Sequence, residues 1–444
     1  MPAKQIYFGN DQRSGDHVLA GASPLAINVV ADGAGAVRRR PGIAAWSGFP
    51  NAIPDTSAVI GMHAFRDELY YVTDSRRIFK VSGGATTDLS TAGGPSYLAG
   101  DKRPVFAETS FRLVIAGGAA PEKVDSNELV AERLGGSPPD STHIVATNFM
   151  LASNDLTGAA TVDLIRRSDA GNAGNETWGA LSQFYAAARP DALVALHENS
   201  NEMFAFGTRT LQTFVPDPGF NAFARLATIN YGCAAPYGIV QGDTDFSWLT
   251  EQRQFVKSDG RGIAVLSDPI ANTLDAVATV DDAIGFRWNA DQFDCFAWLF
   301  PTDGRTFVFQ EGGGWGQWHG WVQGSGHSVF PVTSHYYWPE MNLHLVGLET
   351  GQIAMLDSSA RDDLGATIKA EAVTGFINHE TDAVKHCEAI RFTFRRGHTT
   401  GTTEPQVLLS WRDDLGDFCR PIRMTLGAPA DYVCTVERRS LGTY

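Results

Sequence analysis

The chain has 444 residues, more than one ordinary compact core accommodates, so two or three domains or one large repeat-built domain are expected. Its 35 basic and 50 acidic side chains give a formal net charge of −15, which argues against binding nucleic acid through phosphate contacts. No apolar stretch of signal-peptide or membrane-spanning length occurs, so neither secretion nor membrane spanning is expected.

The numbers of cysteines and glycines indicate what kind of protein this is and which sites it lacks. The five cysteines are odd in number and contain no Cys-x-x-Cys pair, so we expect neither a disulfide framework nor a zinc site. No glycine-rich phosphate-binding motif follows a strand, and no cofactor is expected. The 46 glycines, with only 19% charged residues, indicate a β protein with many tight turns.

Similar hairpins recur from the N-terminal region onwards, each an apolar strand, a polar turn and a second strand. Their first strands are separated by 44, 37, 53, 43, 50 and 49 residues. A four-stranded propeller blade takes about 40 to 50 residues, so this spacing predicts a six- or seven-bladed β-propeller over residues 29–365. The first strands are centred on Leu69, Leu113, Met150, Met203, Phe246, Phe296 and Leu345.

One stretch departs from the hairpin pattern. Between Glu176 and Leu196, Trp178, Leu181 and Phe184 follow helical spacing, which predicts a short helix or a loop insertion before a blade. A proline at position 190 would end such a helix.

The C-terminal part has a different character. After the polar run 358–363 the strands become longer and lose the blade spacing, so residues 366–444 are interpreted as a separate β-sandwich or barrel. Residues 1–28 are interpreted as an N-terminal arm that packs with this second domain.

The adjacent carboxylates Asp413 and Asp414 raise the question of an acid pair. Alternating strands flank them, so they are interpreted as the polar tip of a hairpin. A glycosidase needs two carboxylates that face each other across a bond, about 5 Å or more apart, which neighbours on one turn cannot arrange alone. No catalytic residue is therefore assigned.

The stretch "GGGWGQWHGW" has two interpretations. Trp315, Trp318 and Trp321, with His319, would either stack on sugar rings or pack between blades. This stretch is the best candidate in the sequence for a carbohydrate-binding face.

The remaining polar clusters match no recognised site. His327, His335 and His344 are spaced by eight and nine residues, which fits no metal motif. His386 lies next to Cys387, but nothing near them predicts an activated thiol. The basic cluster "VRRRPG" (Val37–Gly42) is too short for a nucleic-acid stripe and would at most pair with an acidic partner surface.

Several stretches, taken in order, resemble a known family. They are "RRRPGIAAW", "TWGALSQFYAAARPDALVAL", "MFAFGTRTLQTFVPDPGFNAFARL", "INYGCAAPYGIV", "LSDPIANTLDA", "PQVLLSWRDDLGDF" and "VERRSLG". The ordered set resembles the packaged-DNA stabilization proteins of short-tailed, podovirus-type phages, which are the tail-hub or nozzle subunits. The residues that match this family, here called the signature residues, are Pro41, Gly42, Trp178, Pro190, Asp191, Gly232, Cys233, Pro236, Trp248, Asp413, Asp414 and Gly416. Leu415 stands where the family has a glycine.

The resemblance implies a propeller with a platform-like second β domain, assembled as a homo-hexamer below the portal and its adaptor ring. It also implies attached tail fibres or spikes, a needle or plug protein, and DNA that passes through the lumen without sequence-specific binding. The expected location is the virion tail, after assembly in the cytoplasm of the bacterial host, and no enzymatic activity is expected. The alternative is a propeller that binds or hydrolyses host glycans.

Overall fold

A computed structural model describes residues 25–32, 36–50, 53–90, 98–125, 131–147, 150–157, 162–169, 177–186, 188, 191–217, 223–374, 386–395, 406–412, 416–427 and 433–443. These residues form two compact units, the first between residues 25 and 374 and the second between 386 and 443. Four short strands open the first unit. They are β1 (Leu25–Ile27), β2 (Val29–Asp32), β3 (Ala36–Arg39) and β4 (Gly42–Ala45).

Five four-stranded antiparallel sheets follow, each made of consecutive strands. Blade one holds β5 (Val59–Phe65), β6 (Glu68–Thr73), β7 (Ile78–Ser82) and β8 (Ala85–Asp88). Blade two holds β9 (Val105–Glu108), β10 (Arg112–Ala116), β11 (Glu122–Asp125) and β12 (Glu132–Arg133). Blade three holds β13 (Ile144–Thr147), β14 (Met150–Asn154), β15 (Leu164–Arg167) and β16 (Gln183–Tyr185). Blade four holds β17 (Leu193–Asn199), β18 (Glu202–Gly207), β19 (Leu211–Pro216) and β20 (Phe223–Ile229). Blade five holds β21 (Val240–Gln241), β22 (Phe246–Leu249), β23 (Phe255–Ser258) and β24 (Ala264–Val265).

The last two blades include strands from distant parts of the chain. A 3-10 turn (Asp268–Ile270) and the helix α1 (Ala271–Asp275) lead into blade six. Blade six holds β25 (Ile284–Ala290), β26 (Phe293–Phe300), β27 (Arg305–Gln310) and β28 (Gly314–Gln317). A hairpin of β29 (Gly320–Val322) and β30 (Gly326–Ser328) precedes blade seven. Blade seven holds β31 (Ser334–Trp338), β32 (Leu343–Gly347) and β33 (Ile353–Asp357), with a 3-10 turn at Pro339–Met341, and β4 is its fourth strand. The N-terminal strand therefore closes the ring.

Further strands cover the outer edges of blades six and seven. The chain continues through β34 (Asp362–Asp363), β35 (Ala366–Thr367) and β36 (Glu371–Val373). On blade six, β1 pairs with β28 and then with β36, whereas on blade seven β34 pairs with β4 and then with β35. The first unit thus continues to residue 374, beyond the predicted boundary at 365, because these strands pair with N-terminal ones. Of the predicted arm, residues 1–24 lie outside the described residues.

Seven hydrophobic clusters hold the blades together, one at each contact between neighbouring blades. The first strands of neighbouring blades touch, including β31 of blade seven and β5 of blade one, so the ring is closed. Because a blade packs on both faces, the middle strands are buried throughout, as in β6 with "LYYVT". The predicted all-β propeller is confirmed, with seven blades, and each of the seven predicted first hairpin strands is the second strand of a blade.

Local turn chemistry supports this arrangement. The two-residue turns Arg66–Asp67 and Ser200–Asn201 have positive φ at both positions, as type I′ hairpins require. The predicted helical stretch before blade four is instead extended, since Gln183–Tyr185 is the outer strand of blade three. Pairing of Gln183–Tyr185 with β15 outweighs the helical spacing, so the predicted helix is wrong at these residues.

The second unit consists of two antiparallel strand pairs among its described residues. Its strands are β37 (His386–Arg395), β38 (Gln406–Leu409), β39 (Ile422–Thr425) and β40 (Val433–Thr443). β37 pairs with β40, and β38 pairs with β39. The C-terminal part is therefore β structure as predicted, and its closure into a sandwich or barrel stays a prediction.

Candidate functional site

The signature residue Pro41 belongs to a buried cluster around Arg40 that closes the propeller. The Arg40 guanidinium donates to both carboxylate oxygens of Asp363, at 3.0 and 2.6 Å, and the Arg40 side chain is 0% exposed. It also donates to Oδ1 of Asn28 at 2.9 Å, to the carbonyl of Pro41 at 2.7 Å and to that of His319 at 2.9 Å. One side chain thereby joins the N-terminal segment, the link between blades six and seven, and the segment after blade seven.

Gly42 lets the closing strand approach this segment. A Cβ atom at position 42 would lie 2.4 Å from the carbonyl oxygen of Asp362, so only glycine fits without a shift of the backbone. The adjacent Ile43 donates its N–H to Asp363 at 3.1 Å and accepts one from Leu364 at 2.8 Å. The early signature residues therefore serve closure of the ring.

The other arginines of the predicted basic cluster are also used within the chain. Arg38 donates to the carbonyl of Ser358, and Arg39 donates to those of Ala360 and Arg361. The cluster therefore has an internal role, and its pairing with an acidic partner surface stays a prediction. No local sequence pattern predicts this role, because the acceptors lie more than 300 positions away.

Asp191 fixes the turn between β18 and β19. Its carboxylate accepts the backbone N–H of Arg209 at 3.0 Å and both the N–H and the hydroxyl of Thr210 at 2.8 Å, and it also accepts the hydroxyl of Thr208. Burial alone would raise the pKa of Asp191, but these hydrogen bonds outweigh it and lower the pKa below its usual value. Gly207 makes room, since a Cβ there would lie 2.3 Å from the carboxylate. The signature aspartate is thus a turn cap.

Gly232, Cys233 and Trp248 join blades four and five. A Cβ at position 232 would lie 2.0 Å from the carbonyl oxygen of Thr208, and the Trp248 indole N–H donates to the Gly232 carbonyl at 2.8 Å. Cys233 is buried beside Trp248, and burial raises the pKa of its thiol to about 12. A thiol with so high a pKa is a packing group and a poor nucleophile at neutral pH.

Pro236 takes part in a contact at one end of the propeller axis. Its carbonyl oxygen lies 3.1 Å from Nε2 of His143, and the His143 ring stacks on Tyr237 with centroids 5.4 Å apart. His143 leads into blade three, whereas Pro236 and Tyr237 lead into blade five, so loops of non-adjacent blades meet here. Burial lowers the pKa of His143 to about 4, which keeps its imidazole neutral at pH 7.

Arg103 fills the same end of the axis from the opposite side. It leads into blade two and donates to the carbonyls of Ile60, at 2.9 Å, and Thr333, which leads into blade seven. Burial lowers the pKa of Arg103 to about 10, and Tyr237 also lies close to it. Side chains therefore occupy this end of the central opening of the propeller.

The remaining signature residues have simpler placements. Trp178 is 5% exposed and lies in the core between blades two and three. Gly416 is an exposed residue of the second unit. Pro190, Asp413 and Asp414 lie outside the described residues, so the hairpin-tip interpretation of the two aspartates stays a prediction.

The tryptophan-rich stretch is mostly core. Trp315 is 2% exposed between blades five and six, and Trp318 is 0% exposed between blades six and seven. Only Trp321, on the β29–β30 hairpin, remains half-buried. Nζ of Lys369 lies 4.6 Å from the centroid of its ring, and His327 packs against its edge.

Two of the three histidines noted in the sequence form a pair, and the third lies beside a glutamate. Nε2 of His335 lies 3.1 Å from Nδ1 of His344, and Nε2 of His344 lies 2.8 Å from the carbonyl oxygen of Asn289. Burial lowers the pKa of both imidazoles. His327 instead lies 3.3 Å from a carboxylate oxygen of Glu371. Within the described residues, no group of three or more His, Cys, Asp or Glu is arranged to hold a metal ion.

No cysteine of the described residues forms a disulfide. Cys233 and Cys295 are buried, and Cys387, Cys419 and Cys434 are partly exposed. A small crevice of about 20 Å³ lies between the first strands and blade six, lined by Val30, Gln310 and Trp315 among others. This volume holds about one water molecule, too little for an organic substrate.

Comparison with known proteins does not assign this chain to a family. No protein-family model matches the chain, and no curated protein matches it. The WD40 β-propeller domain of Doa1 aligns with 73% of this chain and 100% of its own length, at 11% identity and a TM-score of 0.45. BamB from Moraxella catarrhalis aligns with 74% of this chain and 93% of its own, at 8% identity and a TM-score of 0.41. The computationally designed Ika8 protein aligns with 72% of this chain and 99% of its own, at 8% identity and a TM-score of 0.41.

Proposed function

We propose that this chain is a structural virion protein, the tail-hub or nozzle subunit of a short-tailed phage. In this role it attaches below the portal and adaptor, helps to retain packaged DNA, forms the conduit for its ejection and anchors fibres or spikes. The observation that carries the proposal is that residues matching the resembled family lie at the contacts that close and stiffen the propeller. Pro41 and Gly42 serve ring closure, and Asp191, Gly232 and Trp248 fix the contact between blades four and five.

A hub needs a stiff body whose surface loops can differ from partner to partner. Seven interlocked clusters and a buried ion pair at the closure supply stiffness, because neighbouring blades cannot shift without exposing core side chains. Loops at both ends of a propeller connect rigid strands, so they can vary without loss of the ring.

The DNA path in such a hub would run between subunits. Arg103, His143 and Tyr237 occupy one end of the axis of a single propeller, which leaves no straight passage for a duplex there. A hexameric ring would instead enclose the lumen among its six copies. The net charge of −15 suits a surface along which DNA slides, since it offers phosphates few counter-ions.

The proposal predicts specific binding to an adaptor ring. The purified chain, mixed with a purified portal–adaptor complex and imaged by negative-stain electron microscopy, should add a layer with sixfold symmetry to one face of the ring. An unrelated propeller of similar size is the control and should add no layer. A ring that stays bare at saturating concentration of the chain would contradict the proposal.

A glycan-binding role remains the second candidate, and it now rests on Trp321 alone. Trp321 is half-buried on a hairpin and has Lys369 and His327 beside it, a combination that stacks on a sugar ring and donates to its hydroxyls. Binding on a glycan array that disappears in Trp321→Ala, with adaptor binding absent, would favour this alternative.

A further inference from the structure

A pair of histidines lies in the contact between blades six and seven. His335 on β31 and His344 on β32 share a face of blade seven with Val346, which belongs to the cluster between these two blades. The His335 ring stacks on Phe286 of blade six, with centroids 5.1 Å apart. Nε2 of His344 lies 2.8 Å from the carbonyl oxygen of Asn289, also in blade six. The pair therefore joins the two blades.

The hydrogen bonds of the neutral pair can run in only one direction. The carbonyl oxygen of Asn289 only accepts, so Nε2 of His344 carries a hydrogen and donates it across 2.8 Å. The other nitrogen of a neutral imidazole accepts, so Nδ1 of His344 receives a hydrogen from Nε2 of His335 across 3.1 Å. Both neutral rings thus carry their hydrogen on Nε2.

One added proton fits this arrangement, whereas a second does not. A first proton on Nδ1 of His335 leaves both hydrogen bonds in place and puts a charge on the ring that stacks on Phe286. A second proton would occupy Nδ1 of His344, where one N–H group would face another across 3.1 Å. Two positive rings at this separation repel strongly because little water screens them, so the rings must move apart.

The surroundings of the pair favour its neutral state. Burial lowers the pKa of His335 and of His344, and the positive charge of Arg287 on β25 lowers that of His344 further. The carboxylate of Asp294 is engaged by Arg287 at 2.7 Å. The Tyr337 ring lies 4.6 Å from that of His344. Arg287 and Tyr337 are the other titratable groups that face the pair from blades six and seven within the described part of the chain.

The other described histidines with a hydrogen-bonded ring nitrogen differ, because that nitrogen faces an oxygen atom. When such an imidazole gains a proton, burial opposes the charge, but its N–H still donates to the oxygen. These histidines and their partners are His63 with Glu108, His143 with Pro236, His197 with Gln241, His319 with Gln317, and His327 with Glu371. Among the residues that the structure describes, full protonation therefore removes a hydrogen bond only between His335 and His344.

The same contact is where the ring closes. Blade six is extended by β1 and β36, and blade seven by β4 and β34. The cluster between the two blades also includes Val30 of β2 and Ile43 of β4, so the N-terminal strands pack into it. Loosening of this contact would therefore open the ring at its closure.

We infer that the His335–His344 pair makes the contact between blades six and seven an acid-sensitive closure of the ring. While the pair holds at most one added proton, it binds Asn289 of blade six. A second proton, taken from solvent, breaks the hydrogen bond between the rings and loosens the contact. The inference goes beyond the hub proposal and does not depend on it.

Hydrogen exchange of the full chain tests this inference. Both folded pKa values lie below the ordinary value of 6.5, so the stabilisation by the pair is present above about pH 6.5 and is lost as the pH falls. An opening that takes up one proton becomes about tenfold more favourable for each pH unit. Between pH 6 and 5, protection of β31 and β32 should therefore fall about tenfold or more further than in the double variant His335→Gln with His344→Gln, which takes up no proton there.

The matched control is His63→Gln, which removes a histidine beside a carboxylate in blade one and should behave like the unmodified chain. An equal fall in the unmodified chain and in the double variant would overturn the inference.

A second measurement needs no variant of the pair. In the full chain with 15N-labelled histidine, a scalar coupling between two imidazole nitrogens should be present at pH 7, because the bond between the rings joins nitrogen to nitrogen. The coupling should disappear over the pH range in which β31 and β32 lose protection. Its absence at pH 7, or its persistence after protection is lost, would overturn the inference.

Discussion

Replacement of Asp363 by alanine should destabilise the propeller strongly. The change removes both acceptors of the buried Arg40 guanidinium, at 3.0 and 2.6 Å, and the acceptor of the Ile43 N–H. Arg40 is 0% exposed and would keep its charge without a counter-ion. Breaking a buried ion pair on one side typically costs about 3–5 kcal/mol, so we expect a loss of about that size in the free energy of unfolding. Urea unfolding followed by tryptophan fluorescence measures it.

The neighbouring Asp362 supplies the control, since it is exposed and its carboxylate accepts only the N–H of Gly365 among the described residues. Asp362→Ala should cost about 1 kcal/mol or less. The double variant Arg40→Met with Asp363→Ala should be more stable than Asp363→Ala alone, because no buried charge remains unpaired. A loss below about 1 kcal/mol in Asp363→Ala would refute the closure role of the pair.

Three further outcomes are expected. The pKa of the buried, neutral His143 is about 4 in the folded chain, below its unfolded value of 6.5, so the stability present above pH 6.5 is lost as the pH falls towards 4. When the pH is lowered from 7 to 5, the free energy of unfolding of His143→Gln, measured in urea, should therefore decrease by about 2 kcal/mol less than that of the unmodified chain. Gly232→Ala should cost about 2 kcal/mol by the same measurement because its Cβ meets a backbone carbonyl, whereas Gly262→Ala, whose Cβ meets nothing within 4 Å, should cost little. Trp318→Ala should reduce the free energy of unfolding by about 3–5 kcal/mol and lower the thermal midpoint strongly, because Trp318 is 0% exposed. Trp321→Ala should lower the thermal midpoint only slightly, and equal effects of the two variants would contradict the assigned burial.

The propeller was predictable because its signal is local and repeated. Each blade places an apolar strand, a short polar turn and a second strand within about 20 residues, and seven repetitions at blade spacing leave few alternative folds. This pattern predicts hairpin strands at Leu69, Met203 and Leu345, and these strands are the second strands of their blades. The sequence alone does not decide between six and seven blades, because the fourth strand of blade seven comes from residues 42–45, far from its other three strands.

What the sequence did not reveal depends on contacts between distant residues. Arg40 and Asp363 are 323 positions apart, and no local pattern links a basic cluster near the start to one aspartate after the last blade. The Pro236 carbonyl meets His143 across 93 positions for the same reason. Trp318 and Trp321 are three residues apart, yet one is core and the other half-buried, since the chain leaves the blade between them.

Mass photometry of the chain with a portal–adaptor ring tests the central claim most directly. If the closed propeller is a hub subunit, the mass of the ring should rise by six copies of 47.9 kDa and reach a plateau there. A ring whose mass does not change, or one that binds single copies without reaching six, would contradict the account.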